Sequence, residues 1–346
     1  MLSAYDRQAP GRYRQRLGLD FEDFMPGQRF RHRPGVTISQ QDNVAEALGT
    51  LNGAMIHFDD HYAAATSWGR PLVVSTLTLR LLLGLATKTY GRRAALRGFD
   101  EIALTAPLFG GDTLYAESEI LAAAAGTDPD HGEITVALTG RKPDGTTIGR
   151  AVARMAIWRR GAGPNADAPA AEDPRFALFR ADPDGMLTEQ SGLFFEDFIP
   201  GETFVHTPRR SFTPEDSARA AITTLELAPA YHDLDWIARH RNGAQLVSET
   251  FVIGAVTALT TRTFGRVVAN LGWYDIALPA PVLVGDTIAA ESTVLDARAS
   301  RSRPNQGILS VATSSRNQHG TEVLRYRRKL LVYRAGAASP YARAGY

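Results

Sequence analysis

The feature that most constrains this chain is an internal repeat. The segment GLDFEDFMPG at residues 18–27 returns as GLFFEDFIPG at residues 192–201, which is 174 positions later. The segment GDT at residues 111–113 returns at residues 285–287, at the same displacement. Solenoid repeats have periods of roughly 20 to 50 residues, so a period this long indicates a duplicated domain. We therefore predict two halves that share one fold.

The length of the chain agrees with two domains. At roughly 150 residues per domain, 346 residues are enough for two hydrophobic cores. We predict a first domain over residues 18–160, a linker over residues 161–187 and a second domain over residues 188–335. The linker is placed where Ala, Pro, Gly and Asp are concentrated, because such residues favour turns and connections.

Composition excludes several kinds of function. The 38 basic and 37 acidic residues leave a net charge of +1, which gives no overall attraction to nucleic acid or to an anionic membrane. The absence of cysteine excludes disulfides, thiolate nucleophiles and cysteine-bound metals. No apolar run approaches the roughly 18 residues that span a membrane, and no secretory signal is recognised, so a cytoplasmic location is expected.

Each half shows the same order of predicted elements. Ser39 and Thr213 each precede an acidic residue by three positions, a capping-box pattern that starts a short helix. A longer helix follows over residues 76–87 and 251–260; it is apolar on most sides and is therefore expected to be wrapped by other elements. Antiparallel strands are then predicted over residues 113–121, 133–139 and 149–159, and over residues 287–295, 308–315 and 322–333. One buried helix with a curled antiparallel sheet is an α+β architecture.

These motifs resemble those of MaoC-like hydratases, which are built from hotdog domains. The resemblance rests on the FEDFxxG motif, the GDT strand start and the segment NGAMIHFDDH at residues 52–61. In that segment an Asn, an Ala, a His-Phe pair and a second His stand at the spacing of mesaconyl-CoA hydratases. The segments PLFGGDT at residues 107–113 and NLGW at residues 270–273 extend the match. The resemblance implies a tandem (double) hotdog fold, with each half a curled sheet around a buried helix.

The same resemblance implies an enzyme that adds water reversibly to an enoyl-CoA thioester. Mesaconyl-CoA and 2-methylmalyl-CoA (β-methylmalyl-CoA) are the first-choice substrates, with CoA as part of the substrate and no separate cofactor expected. An acyl-CoA thioesterase and a non-enzymatic acyl-CoA-binding hotdog module are the alternatives, because a fold does not determine a reaction. A homodimer of tandem hotdogs is left open.

Hydration of an enoyl thioester needs water at C3, a proton at C2 and stabilisation of the enolate oxygen. His57 is assigned to the water, because imidazole titrates near neutral pH. Asn52 can orient the water or hold the substrate, but an amide does not exchange protons near pH 7, so acid–base chemistry falls to His57. The backbone N–H groups of Ser75 and Thr76, at the start of the longer helix, are predicted to bind the oxyanion.

Further residues are predicted to bind the substrate. Guanidinium groups suit phosphate and carboxylate groups, which makes Arg70, Arg92 and Arg93 candidates. His61, the second His of the NGAMIHFDDH segment, is expected to contact the substrate as well.

The repeat separates the two halves in function. His57 corresponds to Tyr231 in the second half, so only the first half keeps the catalytic motif. Tyr231 is then expected to shape the substrate cavity of a single working site where the halves meet. His232, one position further, leaves open a second site after a small change of register. The pair His57 and His61 has the spacing of metal ligands, but no Glu follows His57 and no third ligand is evident, so no metal is expected.

Overall fold

A computed structural model describes residues 1–336 and 339–346 of the chain. The repeat appears as two halves, in each of which a mainly antiparallel sheet curls around one face of a helix. This arrangement confirms the predicted α+β tandem hotdog. Within the described residues, no helix is both long and apolar enough to span a bilayer.

The elements follow one another in the same order in both halves. The chain begins with a hairpin of β1 (Tyr5–Ala9) and β2 (Arg12–Gln15). The first half contains β3 (Arg29–Thr37), α1 (Gln40–Gly49), α2 (Asp60–Ala64), α3 (Ser75–Leu85), α4 (Thr87–Tyr90), β4 (Arg93–Leu104), β5 (Thr113–Ala124), β6 (His131–Arg141) and β7 (Thr147–Trp158). A second hairpin consists of β8 (Phe179–Ala181) and β9 (Leu187–Glu189). The second half contains β10 (Thr203–Val205), β11 (Arg210–Ser211), α5 (Pro214–Thr223), α6 (Leu234–Arg241), α7 (Glu249–Leu259), α8 (Thr261–Phe264), β12 (Val267–Ala277), β13 (Thr287–Ala299), β14 (Gln306–Arg316), β15 (Glu322–Tyr333) and α9 (Pro340–Arg343). Short 3-10 turns lie at Phe21–Asp23, Met55–His57, Pro174–Phe176, Phe195–Asp197 and Pro229–Tyr231.

Local sequence patterns locate many of these elements. The capping boxes at Ser39 and Thr213 are confirmed, since each hydroxyl accepts the N–H three residues on and each acidic side chain bonds back. The six predicted strands correspond to β5, β6, β7, β13, β14 and β15. No periodic pattern predicts β4 or β12, because each has three register shifts against its neighbouring strand and these break the alternation.

The two halves exchange hairpins. Strand β2 pairs in parallel with β10, placing Tyr13 opposite Phe204, so the first hairpin joins the second sheet. Strand β9 pairs in parallel with β3, placing Leu187 opposite Phe30, so the second hairpin joins the first sheet. The sheet orders are β4-β7-β6-β5-β3-β9-β8 and β1-β2-β10-β13-β14-β15-β12, with β11 also beside β13. The predicted linker over residues 161–187 is therefore wrong in its last part, because a strand there finds its backbone partners in the first sheet.

Each sheet covers only one face of its central helix. On α3, Thr78 and Leu82 are buried, while Arg80 and Gly84 are exposed. Leu82 packs in a core cluster with Leu114 of β5. The prediction of a helix wrapped by other elements is confirmed on this face, where Leu77, Leu81 and Leu85, themselves half-buried, pack against the same cluster.

Candidate active site

His57 ends the 3-10 turn Met55–His57 and is held from the side by the chain ahead of α3. Its Nδ1 lies 2.9 Å from the carbonyl oxygen of Leu72. A carbonyl can only accept, so Nδ1 donates to it, and in the neutral ring the lone pair is then on Nε2. The ring is half-buried. An imidazole held in this tautomer can take a proton from a water molecule at Nε2.

The side chain of Asn43, on α1, forms hydrogen bonds with the backbone of His57, Leu72 and Val74. This side chain is fully buried. The Nδ2 group donates to the carbonyl oxygens of His57 at 2.9 Å and of Leu72 at 2.8 Å. The Oδ1 atom accepts the N–H of Val74 at 2.8 Å. One amide therefore ties together the catalytic candidate, the acceptor of its ring and the residue that precedes α3.

No sequence motif singles out Asn43, although the repeat offers a signal. The equivalent residue of the second half is Ser217, also buried on a helix. Its hydroxyl donates to the carbonyl oxygens of Tyr231 and Leu246, which correspond to His57 and Leu72. A polar residue kept at the same buried position of both helices is the pattern that points to a shared bracing role.

Helix α3 begins without a side-chain cap. Its N-cap residue is Val74, which has no side-chain hydrogen bond to offer. Among the described residues, the N–H groups of Ser75 and Thr76 have no acceptor, and both residues are exposed. Ser75 follows Leu72 by three residues, which span at most about 10 Å of chain. The helix therefore presents free donors and the positive end of its dipole near the imidazole, and such donors can bind an oxyanion.

Asn52 and His61 lie on either side of His57 along the chain. The Oδ1 atom of Asn52 accepts the N–H of Ala54 at 3.0 Å, so this side chain closes the turn ahead of His57. Its Nδ2 group is the part that it can offer to water or substrate. His61 is exposed in the first turn of α2. Within residues 1–336 and 339–346, no group of three His, Asp or Glu side chains is placed to hold a metal ion.

Arg70 lies beside this group. Its guanidinium carbon is 3.9 Å from the centre of the Phe109 ring. Phe109 in turn forms an isolated β-bridge with Leu72, the residue that holds the imidazole. Arg70 is exposed, so its charge is available to an anionic part of a substrate at the edge of the site.

Arg92 and Arg93 lie beyond the opposite end of α3, and the eleven residues of that helix span about 16 Å. The Nε of Arg92 is 2.7 Å from Oδ1 of Asp20. Its terminal nitrogens donate to the carbonyl oxygens of Ala162 and Pro164. The prediction that Arg92 binds substrate is therefore corrected, because these partners use it to hold the segment between the halves. Arg93 begins β4 at the same distant end.

The second half carries a different pair of side chains at the equivalent place. Tyr231 ends the 3-10 turn Pro229–Tyr231, as His57 ends its own turn. Its hydroxyl donates to Oε2 of Glu249 at 2.6 Å. Burial raises the pKa of Tyr231 to about 12, and the Glu249 carboxylate adds to the shift. Glu249 is the first residue of α7, as Ser75 is of α3, so a carboxylate stands where the first half offers free donors.

Among the described residues, no hydrogen bond joins His57 to Tyr231. The side-chain hydrogen bonds of His57 and Asn52 stay within the first half, and that of Tyr231 stays within the second. The expectation of one site at the junction of the halves therefore stays a prediction. His232 comes after the 3-10 turn, so a change of register does not place it at the position of His57; its Nε2 is buried without a partner among the described residues.

The fold defines the class: a tandem hotdog protein, whose first half is similar to MaoC-like domains. Residues 22–142 match the family model described as MaoC like domain. Residues 171–341 match the family model described as Mesaconyl-CoA hydratase. Along most of its length the chain is thus similar to MaoC-like hydratases, and to mesaconyl-CoA hydratases in particular, which confirms the resemblance seen in the sequence.

The curated relatives that the chain matches include proteins named mesaconyl-CoA hydratase. The one from Cereibacter sphaeroides is 36% identical over 159 residues, which are 44% of this chain and 45% of the relative. The one from Haloarcula marismortui is 30% identical over 155 residues, which are 44% of this chain and 43% of the relative. Each match spans less than half the length of the relative. A solved structure described as a putative MaoC domain protein dehydratase from Chloroflexus aurantiacus is 20% identical, with 92% of this chain and 98% of that chain covered and a TM-score of 0.41.

Proposed function

We propose that this chain is an enoyl-CoA hydratase, which adds water reversibly across the C2–C3 double bond of an enoyl-CoA thioester. One observation carries the proposal: Leu72 holds the imidazole of His57 in the tautomer of a base, three residues ahead of the uncapped start of α3. The similarity to mesaconyl-CoA hydratases supports the same reaction.

The proposed reaction uses only groups present in the first half. In the hydration direction, Nε2 of His57 takes a proton from water while the water oxygen bonds to C3. The electron pair of the double bond moves toward the thioester oxygen, which accepts hydrogen bonds from the backbone N–H groups of Ser75 and Thr76. The imidazolium then returns its proton to C2, and the enolate becomes a saturated 3-hydroxyacyl thioester. Dehydration follows the same path in reverse.

We propose a branched, carboxylated enoyl-CoA as the substrate, with mesaconyl-CoA and 2-methylmalyl-CoA as the first candidates. The names of the matched family and relatives support this choice. Arg70 offers an exposed guanidinium beside the site, which suits a carboxylate or a phosphate of CoA. CoA serves as part of the substrate, and no separate cofactor enters the proposal.

The deciding experiment follows the loss of enoyl-thioester absorbance over a panel of acyl-CoAs that includes mesaconyl-CoA. His57→Ala is expected to lose at least about 10²-fold in kcat, because it removes the only proposed acid–base group. His240→Ala is the matched control: its Nδ1 also bonds a backbone carbonyl, that of Trp236, but it lies on exposed α6 of the second half. A small loss in His57→Ala removes His57 from this role. Release of free thiol instead of loss of the double bond would identify a thioesterase.

Asn52 is proposed to position water or substrate rather than to transfer protons. Asn52→Ala is expected to lower kcat and raise KM, since it removes both the amide and the oxygen that accepts the N–H of Ala54. Asn52→Asp keeps that oxygen and should retain more activity. Equal losses of activity in the two variants would show that the hydrogen bond from the N–H of Ala54 to Asn52 does not account for the effect.

We also propose that two copies of the chain associate through the free edges of their sheets. Strands β4 and β12 end their sheets, and no described part of the chain pairs with their outer side. Apolar side chains on both are exposed, among them Ile102 at 49%, Trp273 at 42% and Ile276 at 46%. The repeat makes the two edges equivalent, so β4 of one copy facing β12 of the other gives a closed two-fold dimer. Light scattering should show a dimer, and Trp273→Lys should weaken it; a monomer for the unchanged chain contradicts the proposal.

A further inference from the structure

A cavity of about 480 Å³ lies where the two halves and their hairpins meet. Its walls include Tyr5 of the first hairpin, Phe176 of the segment between the halves and Tyr341 of α9. Neither His57 nor Ser75 lines it. Its size is that of an ordinary small-molecule site, which occupies roughly 300 to 1,000 Å³.

Two cations related by the repeat line this cavity: Lys88 of α4 and Arg262 of α8. Arg262 donates to the carbonyl oxygens of Arg16 at 2.9 Å and of Thr207 at 3.3 Å. Within the part of the chain that the structure describes, Arg262 has no carboxylate partner. Burial lowers the pKa of Arg262, which shows that its charge is poorly solvated.

Lys88 has only a shared counter-charge. Its Nζ is 3.6 Å from Oε2 of Glu189, whose other oxygen lies 2.8 Å from Nδ1 of His32. Burial lowers the pKa of Lys88; Glu189 opposes this, and the like charge of Arg262 adds to it. The Lys88 and Arg262 charges therefore act on each other across the cavity.

The first half shows how such cations are otherwise neutralised. There, Asp20 lies 2.7 Å from Arg92 and 2.6 Å from Arg16. The equivalents of Asp20 and Arg92, 174 positions later, are Phe194 and Arg266. The guanidinium of Arg266 accordingly lies over an aromatic ring, 3.6 Å from the centre of Phe194, in place of a carboxylate.

Arg266 also lies 4.6 Å from the ring of Tyr341, which lines the cavity. Burial lowers the pKa of Arg266 to about 10. The nearby carboxyl of Asp197 already accepts the N–H of Phe194, and burial raises its pKa, so it neutralises at most one of the arginines. Arg175, which also lines the cavity, is paired with Asp173 and Glu202. Arg262 is therefore the lining cation without a carboxylate partner among the described residues.

We propose that this cavity binds a small organic carboxylate, whose carboxylate group pairs with Arg262 and Lys88 and whose apolar part lies against Tyr341 and Tyr346. The guanidinium fork matches a carboxylate, and an anion offsets the cost of keeping these cations away from water. The aromatic walls favour a ligand with a hydrocarbon part over a bare inorganic ion. Because the walls come from both halves, a bound anion holds the halves together.

The test uses the intact chain and sodium hexanoate as the probe, in isothermal titration and in thermal unfolding at constant ionic strength. We expect saturable binding and a rise in Tm with hexanoate concentration. Hexanol, which lacks the charge, and inorganic phosphate, which lacks the apolar part, should bind at least tenfold more weakly. Absence of saturable hexanoate binding, or tighter binding of phosphate, overturns the proposal.

Variants locate the bound anion. Arg262→Gln and Lys88→Gln should each weaken hexanoate binding at least tenfold. Arg160→Gln is the matched control, because Arg160 is an exposed arginine that lines the corresponding cavity of the first half and pairs with Asp23. If Arg262→Gln does not fold, Lys88→Gln decides. Unchanged affinity in a folded variant contradicts the assignment, and none of these readouts depends on whether the chain hydrates an enoyl thioester.

Discussion

Replacing Asn43 by alanine perturbs the proposed active site without touching a reacting group. The side chain makes three short hydrogen bonds, to the carbonyl oxygens of His57 and Leu72 and to the N–H of Val74, and a longer one of 3.4 Å to Oε1 of Gln40. Alanine removes these bonds and leaves the backbone groups facing the space that the amide filled. The imidazole keeps its bond to Leu72, but Leu72 and the start of α3 lose their common brace.

The size of the effect follows from the count of bonds. At a net contribution of about 1 kcal/mol each, the three bonds amount to about 3 kcal/mol of unfolding free energy. For a domain of this size that corresponds to a fall in Tm of about 6 to 12 °C. A shift of about 1 Å between imidazole and helix start is enough to lower kcat on the order of 10²-fold.

The assay combines thermal unfolding by circular dichroism with kcat for enoyl-thioester hydration at 15 °C, where the variant stays folded. Asn43→Ser should recover part of both losses, because Ser217 holds two carbonyl oxygens in the second half. Ser217→Ala is the matched control and should lower Tm but leave kcat unchanged. If Asn43→Ala lowers Tm while kcat stays at the wild-type value, the bracing of His57 by Asn43 is refuted.

Three further predictions follow from single side chains. Burial lowers the pKa of His206 to about 3. Between about pH 6.5 and 3 the unfolded chain therefore binds a proton that the native chain does not. As the pH is lowered through this range, the unfolding free energy should fall by as much as about 5 kcal/mol, and by less in His206→Gln. Arg92→Ala should cost about 3 kcal/mol of stability in urea titrations, because it leaves the carboxylate of Asp20 with one partner fewer, and should leave KM unchanged. Arg70→Ala should instead raise KM and change stability by less than about 1 kcal/mol, since its contact with Phe109 is exposed. A raised KM in Arg92→Ala together with a loss of stability in Arg70→Ala would contradict the proposed site.

Much of the fold is predictable from short segments. The GDT repeat, the capping boxes at Ser39 and Thr213 and the alternation of apolar residues in β6 and β14 are all local patterns. The structure places strands and helices where these patterns stand. Strands β4 and β12 escape such prediction, because their bulges are set by the neighbouring strands and interrupt the period of two.

The site was predictable only in part. The NGAMIHFDDH segment points to His57, because all the residues of that motif lie within ten consecutive positions. Arg70 and Arg92 look alike in sequence, yet one is exposed beside the site and the other is tied to Asp20. Asn43 belongs to the site through carbonyl groups of distant turns, which no local pattern announces.

By itself, then, the amino-acid order determined a duplicated α+β chain in which only the first half carries the His57 motif, because repeats, caps and periodicity are properties of neighbouring residues. Only the tertiary structure decided that the halves trade hairpins, that Arg92 is structural and that Lys88 and Arg262 share a cavity. Each of these depends on which sheet edges and which charges meet between residues 70 or more positions apart in the chain. The sequence of a segment sets its secondary structure. Which other segment it pairs with depends on where the rest of the chain leaves backbone groups and charges without partners.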